Sequence, residues 1–168
     1  MRTVNRLDRA YMNARVEYFD SLSNYVIISD CHRGDGGLSD EFTKNQNVYL
    51  YALYYYYKNG FTYVEAGDGD ELWEHPKFKV IKDAHYDVYN RIKEFYDAGR
   101  YILLYGNHNI YFQDPKYVKK NLFTYYHDYQ GESTDFLQGI KAYEGLVLKS
   151  RENNQEILVV HGHQGDFS

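Results

Sequence analysis

Four short apolar segments of this chain are each followed at once by a loop that carries aspartate, asparagine or histidine. The segments cover 25–28, 61–66, 101–105 and 156–160, and long stretches of helical pattern separate the first three. Strands that alternate with helices predict an α/β domain. Because ligands bind beyond the carboxyl ends of the strands in such sheets, the polar side chains of these loops are predicted to meet at one edge.

The side chains predicted to converge all belong to residue types that bind metals or transfer protons. They are Asp30, His32, Asp68, Asn107, His108 and His161. A carboxylate placed directly after a buried strand, as Asp68 is, can bridge two divalent ions. Asn107 offers a neutral amide oxygen, which suits a site that already holds negative charge. Alternate residues of an extended chain face the same side, which predicts that Asp30 and His32 face one metal while Cys31 turns to the core.

Periodicity predicts the remaining elements of a single domain that spans 1–168. The predicted helices cover 4–20, 40–58, 77–98, a short stretch after Asp114-Pro115 and a stretch around 134–139. A hairpin is predicted at 146–149 and 156–160, around the turn sequence Glu152-Asn153-Asn154. The stretch 110–142 is the least periodic part of the chain and is a candidate cap or lid insertion.

Composition restricts the partners of the chain. The formal net charge is -5, so the chain lacks the basic footprint of a nucleic-acid binder, and an anionic substrate would need metal ions as a local source of positive charge. The single cysteine, the lack of a signal-peptide pattern and an apolar stretch of only about ten residues at 48–57 predict a cytoplasmic protein without a membrane span. The 21 tyrosines are interpreted as packing residues.

The loop motifs resemble those of the calcineurin-like metallophosphoesterases. That family has D-x-H, G-D-x-x-D/E, G-N-H-D/E and a histidine after a strand; this chain has D-C-H at 30–32, G-D-G-D-E at 67–71, G-N-H-N at 106–109 and His161. The resemblance covers 24–166 in the same order. The stretch 67–73 is also similar to bacterial UDP-diacylglucosamine pyrophosphatases, which belong to this superfamily.

The resemblance implies a β-sandwich flanked by helices (αββα), whose C-terminal part is missing because the final G-H-x-H motif does not occur before Ser168. It implies two divalent ions, of manganese, iron or zinc, that share Asp68. One ion would be held with Asp30 and His32, and the other with Asn107 and His161. A hydroxide that bridges the ions would attack phosphorus, and His108 would act on the leaving-group or phosphoryl oxygens. The implied substrate is a phosphorylated small molecule or a nucleotide-like compound, which would be a monoester, diester or pyrophosphate.

Four further residues are secondary candidates, and three of them have a plainer interpretation beside the functional one. Arg33 either contacts a substrate phosphate or is solvated on its loop, and Glu71 either orients a metal-bound histidine or caps the next segment. Asn109 stands where the family has an acidic residue, and its amide oxygen would orient His108 without supplying charge. His163 either supports the site or belongs to a polar turn with Gln164 and Asp166. Trp73 is expected to form a wall of the site or to lie in the core.

Two other function classes remain as alternatives. One is a catalytically inactive member of the metallophosphoesterase fold that serves as a binding or interaction module. The missing last motif and Asn109 favour it. The other is a nuclease, against which the acidic charge balance and the absence of a basic aromatic groove argue.

Overall fold

A computed structural model of the protein describes residues 3–165, which form a mixed α/β structure. The α-helices are α1 Thr3–Met12, α2 Gln46–Lys58, α3 Phe78–Ala84, α4 Tyr86–Asp97 and α5 Pro115–Leu122. The strands are β1 Arg15–Phe19, β2 Tyr25–Ile28, β3 Thr62–Ala66, β4 Tyr101–Leu104, β5 Thr124–His127, β6 Glu132–Asp135, β7 Ala142–Tyr143, β8 Gly145–Ser150 and β9 Glu156–Val160. The predicted α/β class is confirmed.

Two sheets carry most of the strands. The larger one is parallel and has the order β2-β3-β4-β7, while the smaller one has the order β1-β8-β9, in which β1 is parallel and β9 antiparallel to β8. Ile28 pairs with Glu65, and Ala66 pairs with Leu104. The carboxyl ends of β2, β3 and β4 therefore lie side by side.

The four-stranded sheet is covered on both faces, because its side chains alternate between two apolar clusters. On one face, Tyr63 and Leu103 pack in a cluster with Leu53 of α2 and Phe95 of α4. On the other face, side chains of β3 and β4 pack in a second cluster with Leu146 and Leu148 of the smaller sheet. Every residue of β4 is consequently buried.

Several predicted elements are confirmed. The hairpin is β8 with β9, and the helical pattern over 40–58 is a 3-10 turn at Glu41–Asn45 followed by α2. The short helix after Asp114-Pro115 is α5, which begins where the Asp114 carboxylate accepts from the Lys116 N–H. Among the described residues, no helix has both the length and the apolar character that crossing a bilayer requires.

Two of the predicted helices are wrong, one in part and one in whole, and a third is interrupted. The helix predicted over 4–20 ends at Met12, because 15–19 pairs with β8 as strand β1, and this long-range pairing outweighs the local helical period. The stretch around 134–139 is not helical, since β6 there pairs with β5.

The helix predicted over 77–98 is interrupted at His85, which has φ -116° and ψ 37°. The buried ring of His85 contacts Asp40 through Nε2 at 2.7 Å and Gln46 through Nδ1 at 2.6 Å, so the junction of α3 and α4 is tied to the segment before α2 and to its first residue.

Candidate metal centre

The loops after β2 and β3 continue the parallel pairing of their strands. The N–H of Asp30 donates to the Gly67 carbonyl at 3.2 Å, and the N–H of His32 donates to the Asp68 carbonyl at 2.9 Å. The N–H of Glu71 donates to the carbonyl of Arg33 at 2.9 Å. These bonds fix the side chains of the two loops relative to each other.

Three candidate ligands adopt left-handed backbone conformations. Asp30 has φ 56°, His32 has φ 47° and Asp68 has φ 50°, and no other non-glycine residue between 3 and 165 has a positive φ. Such conformations cost about 1–2 kcal/mol each and cluster at functional sites. The coincidence of these three outliers with the predicted ligands is an independent indication of a site.

The same angles contradict the extended conformation that the sequence predicts for 30–32. The segment 30–32 is not extended, so alternation along a strand does not explain how its two polar side chains come together. The left-handed turns do so, and they leave His32 Nε2 3.7 Å from Asp30 Oδ1. Cys31 packs against the core as expected, and burial raises the pKa of its thiol to about 11, which makes a thiolate ligand unfavourable.

Asp68 lies at the centre of the site, with 2% of its surface exposed. Its Oδ2 is 2.9 Å from His161 Nε2, and its Oδ1 accepts from the backbone N–H of His108 at 2.9 Å. Burial by itself raises the pKa of Asp68, but the hydrogen bonds from His161 and His108 outweigh burial and lower that pKa below its ordinary value. The carboxylate is therefore ionised at neutral pH.

The orientation of His161 is fixed by the backbone of β3. Its Nδ1 is 3.1 Å from the Ala66 carbonyl oxygen, so the Nδ1 proton is donated there and Nε2 faces Asp68. Asp68 raises the pKa of His161, since a nitrogen lone pair and a carboxylate at 2.9 Å need a proton or a cation between them. A divalent cation satisfies this requirement equally well.

Glu71 positions two histidines at once. Its Oε2 is 2.9 Å from His32 Nδ1, and its two carboxylate oxygens are 2.8 and 2.7 Å from His108 Nδ1. The opposite nitrogen of each ring, Nε2, is thereby turned away from Glu71. This is the carboxylate–histidine partnership that orients imidazole ligands in metal sites.

The donor atoms form two groups that share one carboxylate. His32, Asp68 and His108 form one group and Asp30, Asp68 and His161 the other, and within each group the ligand atoms lie within 4.8 Å of one another. The resemblance instead placed Asp30 with His32 and kept His108 outside the ligand set. Each group could hold a metal ion, and mixed carboxylate and imidazole donors are of the kind that manganese, iron or zinc accept.

The loop after β4 contributes through its glycine and both asparagines. A Cβ on Gly106 would clash with the Asp68 carboxylate and lie 2.6 Å from His161 Cδ2, so only glycine fits there. Asn107 is partly exposed, and its side chain has no hydrogen-bond partner among residues 3–165, which leaves its amide oxygen available to a cation.

Asn109 does not orient His108, contrary to the sequence prediction. It is fully buried, and its Oδ1 accepts from the N–H of Gly106 at 2.7 Å and from that of Asp68 at 3.3 Å. The residue thus ties the β3 and β4 loops together, and Glu71 orients His108. Since Asn109 serves the backbone, its lack of charge does not bear directly on that histidine.

The prediction that Arg33 contacts a phosphate or lies in solvent is wrong, because its side chain is 1% exposed. Its guanidinium donates to both oxygens of Glu65, at 2.9 and 2.7 Å, and to Asp70 at 2.9 Å. Tyr63 and Tyr89 donate to the same two carboxylates. Arg33 therefore anchors the first motif to the second from inside the protein, and burial raises the pKa of Asp70.

Two remaining residues lie beside the donor groups. His163 is half-buried with its ring centroid 5.8 Å from that of His161, and burial lowers its pKa. Its Nδ1 is buried and has no partner among the described residues, while Asp166 falls outside them. Trp73 is not a core residue, since it is 58% exposed; its indole stacks on His108 with ring centroids 3.9 Å apart.

No family model, curated protein or solved structure matches this chain.

Proposed function

We propose that the chain is a metal-dependent hydrolase of phosphoester or pyrophosphate bonds, of the calcineurin-like metallophosphoesterase type. The observation that carries the proposal is the position of Asp68, a buried carboxylate shared by two groups of donor atoms at the carboxyl edge of a parallel sheet. The packing of a second sheet on the first is compatible with the sandwich that the sequence motifs imply.

The metal ligands in this proposal come from the two donor groups and the neighbouring amide. They are Asp30, His32, Asp68, Asn107 and His161. Divalent ions held by such a set would activate water for attack at neutral pH and would offset the negative charge that develops on phosphoryl oxygens.

Glu71 and His108 have roles other than binding metal. Glu71 keeps the Nδ1 proton of His108 directed at its own carboxylate, so that His108 Nε2 lies on the side of the ring away from Glu71. In the doubly protonated ring, Nε2 donates a hydrogen bond to the leaving oxygen while Nδ1 donates to Glu71. Hydrogen bonds to Glu71 outweigh the effect of burial and lower its pKa, so it stays charged while it orients the ring.

In this proposal an anionic substrate is bound by the local charge of the metal ions, and not by the net charge of the chain. The formal net charge of -5 repels phosphates at long range, whereas bound cations attract them at short range. A phosphorylated small molecule or nucleotide-like compound fits this balance better than a nucleic-acid strand does.

The test is hydrolysis of p-nitrophenyl phosphate and bis-p-nitrophenyl phosphate with added manganese, together with the metal content of the protein. Asp68→Ala is expected to abolish turnover and to lose bound metal. The matched control, Asp135→Ala, removes an exposed carboxylate of β6 and should change neither quantity.

Turnover that persists in Asp68→Ala would contradict the proposal. A protein that binds metal and hydrolyses neither ester, nor a pyrophosphate such as a nucleoside diphosphate, would instead favour a binding module of the same fold.

A further inference from the structure

The single tryptophan of the chain lies at the site with most of its surface in water. Trp73 is 58% exposed, and its ring plane is within 25° of that of His108 at a centroid distance of 3.9 Å. The turn that carries it is held on both sides, by the fully buried Leu72 and by the His75 N–H, which donates to the Glu71 carbonyl at 3.1 Å. The indole is thus presented on a fixed support.

Trp73 has no role in core packing that would explain its position. An indole offers a large apolar surface that proteins usually bury, yet within residues 3–165 the ring of Trp73 meets only one other ring, that of His108. The neighbours of Trp73 along the chain, Glu74, Pro76 and Lys77, are exposed and mostly polar. A small planar partner matches its size.

Trp73 lies on the side of His108 toward which the leaving group of the substrate is expected to extend. In the proposed reaction the leaving oxygen lies near His108, so the atoms attached to that oxygen extend past the imidazole toward the indole. Glu71 fixes the plane of the imidazole through Nδ1, and the stack orients the indole parallel to it. A planar ring in the leaving group would meet a preformed aromatic surface.

We infer that Trp73 is the stacking platform for a planar ring in the leaving group, which makes nucleosides and aryl alcohols the favoured leaving groups. This inference rests on the proposed function for the direction in which the substrate lies. Stacking on an aromatic side chain recognises the face of a ring and not its hydrogen-bonding edge. We therefore expect the site to prefer substrates whose leaving group carries a planar ring, with little preference among the nucleobases.

The experiment uses two ligands that differ only in the base, adenosine 5′-monophosphate and ribose 5-phosphate. Their inhibition constants are measured against manganese-dependent hydrolysis of the better of the two p-nitrophenyl esters, in wild type, Trp73→Ala and Trp73→Phe. Tyr129→Ala, which removes a fully exposed aromatic ring from the β5–β6 turn, is the control.

We expect the nucleotide to bind about tenfold more tightly than the sugar phosphate in wild type. The ratio should fall to about one in Trp73→Ala, survive largely in Trp73→Phe and stay unchanged in Tyr129→Ala. A ratio near one in wild type, or a ratio that Trp73→Ala leaves intact, overturns the inference.

A second measurement separates this inference from the proposed function. Because Trp73 is the only tryptophan, its fluorescence reports stacking without any turnover. Quenching of zinc-loaded protein by the nucleotide but not by the sugar phosphate, in a protein that hydrolyses no ester or pyrophosphate with manganese, iron or zinc, would refute the hydrolase and keep the platform. Hydrolysis with no base-dependent quenching would keep the hydrolase and refute the platform.

Discussion

The guanidinium of Arg33 forms two parallel hydrogen bonds with the carboxylate of Glu65, at 2.7 and 2.9 Å, and both side chains are 1% exposed. This pair lies beneath the loops that carry the candidate ligands. The arrangement makes the stability of the fold and the geometry of the site depend on the same buried charges.

Arg33→Ala is therefore expected to lower the free energy of unfolding by about 3–5 kcal/mol, because it leaves the Glu65 and Asp70 carboxylates buried without a cation. Urea denaturation measures the change. Lys44→Ala breaks only the exposed pair with Glu41 and should cost less than about 1 kcal/mol. Equal losses in the two variants would show that the buried network does not stabilise the fold.

Glu71→Gln is expected to reduce metal affinity or turnover about 10- to 100-fold, because the amide keeps the shape of the carboxylate but not the charge that orients His32 and His108. Calorimetric titration with manganese measures the affinity. Glu74→Gln, the same change at an exposed neighbour, serves as the control. An unaltered affinity in Glu71→Gln would mean that the backbone alone orients the histidines.

At Asp30, whose φ is 56°, glycine should be better tolerated than alanine, in contrast to helical positions. We expect metal-free Asp30→Gly to be about 1 kcal/mol more stable than metal-free Asp30→Ala, because glycine adopts the left-handed region without a Cβ clash. Thermal unfolding of both variants checks the order. If alanine were the more stable, the left-handed conformation would not hold in the metal-free protein.

Lys82 should make stability rise with pH above about 8. Burial, opposed by Asp83 and reinforced by Lys79, lowers the pKa of Lys82 to about 8, whereas an unfolded lysine titrates near 10.4. Between these values the unfolded chain binds more protons than the folded one, so raising the pH favours folding. From pH 7 to 9.5, wild type should gain about 1–2 kcal/mol relative to Lys82→Met. Parallel stability curves for the two proteins would contradict the shift.

The sequence predicted the parts of the fold that local pattern determines. Strands β2, β3 and β4 and the hairpin of β8 and β9 appear where apolar runs predicted them. Strand β1 was missed because it exists through pairing with β8, about 130 residues further along the chain. Local periodicity carries no information about so distant a partner.

The candidate site was likewise predicted only in part from the sequence. Asp30, His32, Asp68 and His108 lie together because they follow strands of one parallel sheet whose ends share an edge, as the order of the motifs predicts. His161 was expected at the same edge, but it follows β9 of the smaller sheet, and the packing of the two sheets brings it to Asp68. The burial of Arg33 could not be foreseen, because its partner Glu65 is a charged residue inside a strand whose neighbours are apolar. The stack of Trp73 on His108 depends on the path of a turn that no sequence pattern specifies.

The backbone pairing between the β2 and β3 loops restricts the motion of both loops. Since the amides of His32 and Arg33 donate to carbonyls of the neighbouring loop just as strand amides do, these loops are extensions of the sheet. Local opening free energies in proteins range from nearly zero in mobile loops to the global value in core strands. The candidate ligands thus belong to the same cooperative unfolding unit as the sheet, and amide hydrogen exchange at the site should be as slow as in β3.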